Sequence, residues 1–246
     1  MKLFYPKVFK EQKVISALFT ESNREFVNKS GKITGLNLGY NTEASDTEVD
    51  HNFITLFSEI EWEKDQLALA NQVHGTDIKY VSKPGVFEAT DGFVSDQSGI
   101  TLGIRVADCA AILAGDPKNG VIGAFHAGWK GADGNILTKG INKMIELGAD
   151  TTEIQVYISP CISLNNFEVG EEVASKFPER FVDRTSFKKP HVDLKGFLLW
   201  QLLNAGINQK NIDISTECTV QDDRYYSYRR ERDKAGRMLG LIKLNK

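Results

Sequence analysis

Residues 121–131, VIGAFHAGWKG, decide how this chain is read. An apolar run that ends in His126, then gives way to Gly128 and Gly131 around Trp129, describes a buried strand delivering a histidine to a tight turn. Few purely structural roles need that combination. Just upstream, Ala107-Asp108-Cys109 ends the run IRVADC and precedes a second apolar run, AAILA. Further upstream, His74 sits in NQVHG directly after LALA. Residues of three metal-ligating positions therefore each stand at the end of an expected strand.

Working outward, from Leu67 to Phe125 the pattern is one of short apolar runs, LALANQ, IKYV, GFVS, ITLGIRV, AAILA and VIGAFH, bounded by Gly, Asp and Pro. Several are apolar on both faces, which predicts strands of one central sheet covered on both sides. The turn from Gly115 to Gly120 separates two of them. After HAGWKG, Leu137, Ile141, Met144 and Ile145 form a helical stripe that stops at Gly148.

Before the sheet, Val14 to Thr20 predicts a first strand and Glu21 to Lys32 a polar surface loop. Val49, Phe53, Leu56, Phe57 and Ile60 share one helix face, with Ser45 or Asp46 as the N-cap. After the sheet, the strand IQVYIS leads into Pro160 and Cys161. Two helical patterns follow, Val169/Val173/Phe177 and Leu194 to Leu202 with a stop at Gly206, and then strand-like IDIS, YYSY and MLGLIKL. Without repeat or linker, the expectation is a single mixed α/β domain over 1–246.

The bulk composition narrows the class. Hydrophobic residues make up 41% and charged residues 26% of the 246, the balance of a soluble globular protein. A net charge of -3 provides no field that would draw nucleic acid or anionic lipid. Cys109, Cys161 and Cys218 are too few and too irregularly spaced for a disulfide framework and read as thiols of a reducing compartment. MKLFYPKVFKEQK lacks the apolar core of a signal peptide, and no run approaches a membrane span. The expectation is a cytoplasmic protein with neither nucleic acid nor membrane as partner; no pattern points to a particular oligomeric state.

His74, Cys109 and His126 are the candidate metal ligands. Reactive zinc sites take three ligands from imidazole, thiolate and carboxylate and keep the fourth position for water or substrate. Two neutral histidines and one thiolate leave about +1 on a Zn2+ centre, which favours an anion or hydroxide there. No C-x-x-C or H-x-x-x-H pair supports this by spacing, and two hydrogen-bonded core histidines beside a buried thiol account for the same residues. Cys109 as a nucleophile activated by His126 or His74 is the other chemical reading. Asp108, beside the thiol, would disfavour a bare thiolate, whereas a metal enforces one, so the metal reading ranks first. Asp108 itself is a candidate proton carrier.

Other features are weaker. The turn Ala127 to Gly134, with Lys130, opens a helix and is a minor candidate for holding an anion. RYYSYRRERDK, Arg224 to Lys234, reads as a strand with tyrosines packed inward and a solvated charged turn, from which Arg229 or Arg230 reaches a substrate anion. His51 and His191 read as surface residues.

Taken in order, LNLG (36–39), NQVHG (71–75), Asp91-Gly92, ADC (107–109), HAGWKG (126–131), SPCI (159–162), FEVG (167–170), Cys218-Thr219, YSYRR (226–230) and Gly236-Arg237 resemble the laccase-domain, YfiH-like family. Its members are variously described as polyphenol oxidoreductases, purine nucleoside phosphorylases or peptidoglycan editing factors. The resemblance implies an α/β fold with β-sheets sandwiched between helices, similar to the cysteine deamidase domain of cytotoxic necrotizing toxins. It also implies a zinc ion on His74, Cys109 and His126, and Asn37, Gln72, Asp108 and Arg229 around a purine nucleoside. The implied activity is phosphorolysis of adenosine, inosine, guanosine and methylthioadenosine, with phosphate as co-substrate, together with deamination of adenosine. The chain departs from the family in lacking its arginine and Gly-Gly pair ahead of LNLG, where ESNREFVNKSG stands and Arg24 is the one candidate replacement. Ser159-Pro160 replaces Gly-Pro, and Lys130 stands where arginine is common.

The rival expectations are a hydrolase that edits peptidoglycan precursors, a copper-dependent polyphenol oxidoreductase, and a non-catalytic binding module stabilised by zinc. Full reduction of O2 by copper generally takes several metal centres and more histidines than the four present, which ranks copper below zinc.

Overall fold

The computed structural model describes residues 1–10 and 12–245. With strands numbered along the chain, two six-stranded sheets form. The first runs β1 (Leu3–Phe4), β2 (Ile15–Thr20), β14 (Met238–Leu244), β7 (Thr101–Val106), β3 (Leu67–Asn71), β5 (Gly85–Glu88). The second runs β13 (Ile212–Ile214), β10 (Gln155–Ile158), β8 (Ala110–Asp116), β9 (Val121–Ala127), β6 (Gly92–Ser95), β4 (Ile78–Tyr80). Both mix parallel and antiparallel pairs: β3 lies parallel to β7 while β14 lies antiparallel to it, and β8–β9 is antiparallel while β4–β6 is parallel. A ribbon of β11 (Val182–Asp183) and β12 (His191–Val192) stands apart.

The period of two along β8 and β9 explains their unbroken apolar sequence. Ala111, Leu113, Ile122 and Ala124 enter a core shared with β2, β7, β14, the short helix α1 (Lys7–Lys10) through Phe9, and helix α2 (Asp46–Ile60). Ala110, Ile112, Ala114, Val121, Phe125 and Ala127 enter a second core, closed by α4 (Ile136–Glu146) and α6 (Leu194–Asn204). On the first-core side, a Cβ at Gly240 of β14 would lie 3.0 Å from Ala111 Cβ, so the two sheets pack face to face at close range.

Helix α2 starts where its sequence says it must. The Ser45 hydroxyl accepts from Glu48 N, and the Glu48 carboxylate accepts from Ser45 N, a reciprocal capping box. Val49, Phe53, Leu56 and Phe57 are buried. Each such side chain contributes roughly 1.5–3 kcal/mol relative to exposure, so packing outweighs helix propensity in holding α2.

The expected mixed α/β fold is present, but the expected single central sheet is not. Consecutive strands β3, β4, β5, β6 and β7 alternate between the first and second sheets. Apolar character on both faces reports that both are covered; it does not say whether a helix or another sheet covers them. The helices at 46–60, 136–146 and 194–204 stand where the spacing predicts, the last two followed by Gly148 and Gly206 at positive φ. YYSY is not a strand: Tyr225 and Tyr226 are buried in irregular backbone, and α7 (Tyr228–Glu231) starts at the cap Ser227. The pattern Val169/Val173/Phe177 yields only the short helix α5 (Glu171–Ala174). His191, expected on the surface, is 6% exposed, stacked 3.8 Å from the Phe187 ring and bonded through Nδ1 to Leu164 O. Among the described residues, no helix is long and apolar enough to cross a membrane.

Candidate metal centre

The β8–β9 register sets Ala111 opposite His126 and Ala110 opposite Ala127. His126 shares the face of Ile122 and Ala124, and Cys109 extends β8 by two residues from Ala111, so both side chains leave the second sheet toward the first core. Gly128 makes that approach feasible. A Cβ there would fall 2.6 Å from Cys109 Sγ, so only glycine leaves the thiol its position.

His74 comes from the other sheet, on the segment that follows β3, and its backbone is left-handed at φ 60°. Asp91 holds it there. The Asp91 carboxylate accepts from the backbone N–H groups of Val73, His74 and Gly75 at 3.2, 2.9 and 2.7 Å. Its Oδ1 also stands 2.8 Å from His126 Nδ1. One fully buried carboxylate thus joins the two histidines, which come from different sheets. The contact keeps the His126 proton on Nδ1 and leaves Nε2 for a ligand.

The ligand atoms of His74, Cys109 and His126 all lie within 4.8 Å of one another. Ligands bound at about 2.0–2.3 Å to one tetrahedral zinc stand roughly 3.3–3.7 Å apart, so small side-chain rotations close the set on an ion. His74 is exposed, Cys109 half-buried and His126 buried, which leaves the triad open on one side. Electrostatics agree with this fit. Burial raises the Cys109 thiol, but the charge and hydrogen bonding of His126, and then of His74, overcome it and bring it down to about 6. Burial also opposes protonation of His126, yet the Cys109 thiolate and Asp91 lift it to about 9. Without metal the site is a thiolate held by imidazolium, a donor set ready for a soft or borderline cation.

The open side faces a cavity of about 560 Å3, a volume usual for small-ligand sites. Trp129, Ile162, Phe167, Leu194 and Tyr228 give it an apolar, aromatic wall; Gln72, Arg105, Asp108, Arg229 and Arg237 supply polar groups.

A family model described as multi-copper polyphenol oxidoreductase laccase matches residues 17–245. The chain belongs to this laccase family. A Deinococcus radiodurans relative named purine nucleoside phosphorylase is 36% identical over 220 residues, 87% of this chain and 84% of its own. A Corynebacterium glutamicum relative named purine nucleoside phosphorylase Cgl2154/cg2365 is 35% identical, over 74% of this chain and 76% of its own. The crystal structure of YlmD from Geobacillus stearothermophilus superposes with a TM-score of 0.89 at 27% identity, covering 98% of this chain and 94% of that one. That of the Bacillus licheniformis hypothetical protein YfiH gives 0.86 at 25% identity, over 94% and 93%.

In this laccase-family chain the sequence-predicted residues converge unevenly. His74, Cys109 and His126 come together. Asp108, left-handed at φ 80°, borders the cavity with its carboxylate engaged by the Thr219 hydroxyl and Arg229 N, both at 2.6 Å. Arg229 also borders it, anchored to the carbonyls of Asn166 and Glu168. Gln72 borders it with both amide atoms bonded to the Arg105 backbone. Asn37 lies behind the wall, fully buried, accepting from Gly39 N and Arg237 N and donating to Thr42. Arg230 turns to backbone carbonyls of Thr219, Val220 and Tyr225. Lys130 is exposed over the Trp129 ring, and α3 (Trp129–Asp133), which carries it, is a five-residue helix. Arg24 is ion-paired to Glu231 and lies over Tyr226, so it does not replace the family's missing arginine at the cavity.

Among the described residues the ligand set is single, although the laccase family's description says multi-copper. Sequence reasoning missed the roles of Asp91, Tyr40, Arg105, Trp129 and Arg237. Asp91-Gly92 and Gly236-Arg237 stood out as matching segments, but no spacing links them to the ligands.

Proposed function

We propose that this chain is a cytoplasmic, zinc-dependent purine nucleoside phosphorylase, acting as one domain on adenosine, inosine, guanosine and methylthioadenosine, that also deaminates adenosine. The observation that carries this reading is the open triad His74, Cys109 and His126 facing a nucleoside-sized, aromatic-walled cavity. The names of the relatives in Deinococcus and Corynebacterium support the reaction class. The donor set favours zinc over an electron-transfer copper. Copper sites of the two-histidine, one-cysteine type add a weak axial Met, Gln or backbone carbonyl, most often Met. Among the described residues no methionine lines this cavity, and both amide atoms of Gln72 are already bonded to the Arg105 backbone.

When bound, the zinc would supply Lewis-acid polarisation and an acidified water. The chain's own residues do the rest. Asp91 keeps the His126 proton on Nδ1, and Gly128 leaves the Cys109 sulfur room to ligate. Trp129, Phe167 and Tyr228 offer flat apolar surface to a purine and exclude water from the glycosidic bond. Asp108, its carboxylate held by Thr219 and the Arg229 N–H, stands beside Cys109 as the group to accept or return a proton in deamination. Gln72 and Arg229 complete the polar rim. In phosphorolysis a phosphate oxygen bonds to C1′, the C1′–N9 pair departs with the purine, and the purine takes up the proton that hydrogen phosphate brought. The products are the free base and ribose 1-phosphate.

Incubating zinc-loaded protein with adenosine and phosphate is expected to release adenine and ribose 1-phosphate, with inosine as the deamination product. Neither adenine nor inosine appearing, with zinc shown to be bound, overturns the reading.

A further inference from the structure

Two guanidinium groups border the cavity, Arg105 and Arg237, and their hydrogen-bond acceptors are backbone carbonyls. The β7–β14 register sets Leu239 opposite Arg105, and Arg237 precedes Leu239 by two residues, so both arginines emerge on one face at one end of the first sheet. Neither forms an ion pair among the described residues. Arg105 donates to Ala70 O, and Arg237 to the carbonyls of Ala235 and Gly236, which leaves most of their five N–H donors each unmatched by these contacts. Burial lowers both groups from their usual value, more than Tyr40 offsets for Arg105 or Cys109 and Asp108 offset for Arg237, and the charge of Arg237 lowers Arg105 further.

The surroundings are built to keep them there. A Cβ at Gly39 would lie 2.4 Å from Arg237 Cγ, so glycine at that position gives the arginine stem its path. Asn37 Oδ1 fixes Arg237 N at 2.9 Å. The Tyr40 ring lies 5.8 Å from the Arg105 guanidinium and stacks on Phe53 of α2, and its hydroxyl is tied to Asp50. Two like charges held side by side in a partly buried wall repel one another unless an anion lies between them.

We propose that Arg105 and Arg237 form an oxyanion subsite that binds free inorganic phosphate beside the metal triad. The identity of the anion rests on the phosphorolytic reading above. The subsite would bring the nucleophile to the metal side of the cavity and leave the aromatic wall to the base. Asn37 then acts on phosphate through Arg237, as a positioning residue.

The test uses zinc-loaded wild-type protein, Arg105→Gln, Arg237→Gln and the charge-retaining Arg105→Lys, each checked for fold by melting temperature and for zinc content. Inorganic phosphate and adenosine 5′-monophosphate are titrated separately by calorimetry. Phosphate is expected to bind wild type and to weaken by about tenfold or more in either Gln variant, as expected for loss of a charge-assisted contact. Arg105→Lys should recover part of that loss, and KM for the nucleoside should change by less than about twofold where KM for phosphate rises about tenfold. Unchanged phosphate affinity in the folded variants overturns the subsite, as does absence of phosphate binding to wild type or binding of the monophosphate alone. If Arg105→Gln fails to fold, Arg237→Gln and Arg105→Lys decide. Phosphate binding that the variants lose, with no nucleoside cleaved by wild type, keeps the subsite and removes the phosphorylase reading.

Discussion

Asp91 is the residue on which the site depends most among those that bind no ligand directly. Its four side-chain contacts, three to backbone N–H groups at His74 and one to His126, orient two candidate ligands that lie 52 residues apart in the chain. Asp91→Asn keeps the shape but removes the charge opposite His126. It should weaken zinc binding by about 10- to 100-fold, measured by competition with a chromophoric chelator, with secondary structure unchanged. Gly128→Ala should act on the same ligand set from the other side. Its new methyl group would meet Cys109 Sγ at 2.6 Å and the His74 ring at 3.5 Å, so the thiol must leave its position, and zinc per chain after dialysis should fall well below one. Full zinc occupancy in that variant would show that the thiol is not a ligand.

At the scale of elements, α2 is local in its origin and indirect in its service to the site. Its amphipathic spacing and the Ser45–Glu48 capping box are both legible in the sequence. Ser45→Ala should cost about 1 kcal/mol, read as a lower midpoint in chemical denaturation, while zinc affinity stays as in wild type. Loss of zinc affinity along with stability would mean that α2 is coupled to the triad more tightly than its contacts through Tyr40 imply. The LNLG segment shows the limit of such local reading. Asn37 was expected at the substrate, yet it is buried and secures Arg237, two hundred residues away, because a strand partner completes the loop that the asparagine begins. YYSY failed as a strand for a related reason: aromatic content predicts burial, which Tyr225 and Tyr226 have, without specifying backbone pairing.

For the whole molecule, folding, metal binding and pH are linked. In the metal-free protein, between about pH 6 and about pH 9, Cys109 is already a thiolate and His126 is still protonated. Loading zinc then displaces one proton from His126, so apparent affinity should rise about tenfold per pH unit across that window and level off above it. Below about pH 6 the thiol must also ionise, and the slope should steepen. The sign for stability follows from the same pair. The lowered thiol contributes stability that is full above about pH 9 and lost as pH falls to about 6, and the raised imidazole contributes stability that is full below about pH 6.5 and lost as pH rises to about 9. Between about pH 6.5 and 9 the gain of the first and the loss of the second cancel, because folded and unfolded chains each hold one proton on this pair, so the pair should leave the stability of metal-free protein nearly independent of pH across that window, measured as a constant denaturation midpoint. A flat zinc affinity from pH 6 to 9, measured with a chelator of known proton affinity, would exclude the thiolate–imidazolium pair.

The sequence by itself determined which residues were able to form strands and capped helices, and that His74, Cys109 and His126 stand at strand ends, because period, caps and turn residues are local properties. Only the tertiary structure decided that those strands divide between two stacked sheets, that Asp91 bridges the histidines, and that Arg105, Arg237 and Tyr40 wall the cavity. Each of these depends on register between strands far apart in the chain, and register is set by how whole faces pack, which no window of residues contains.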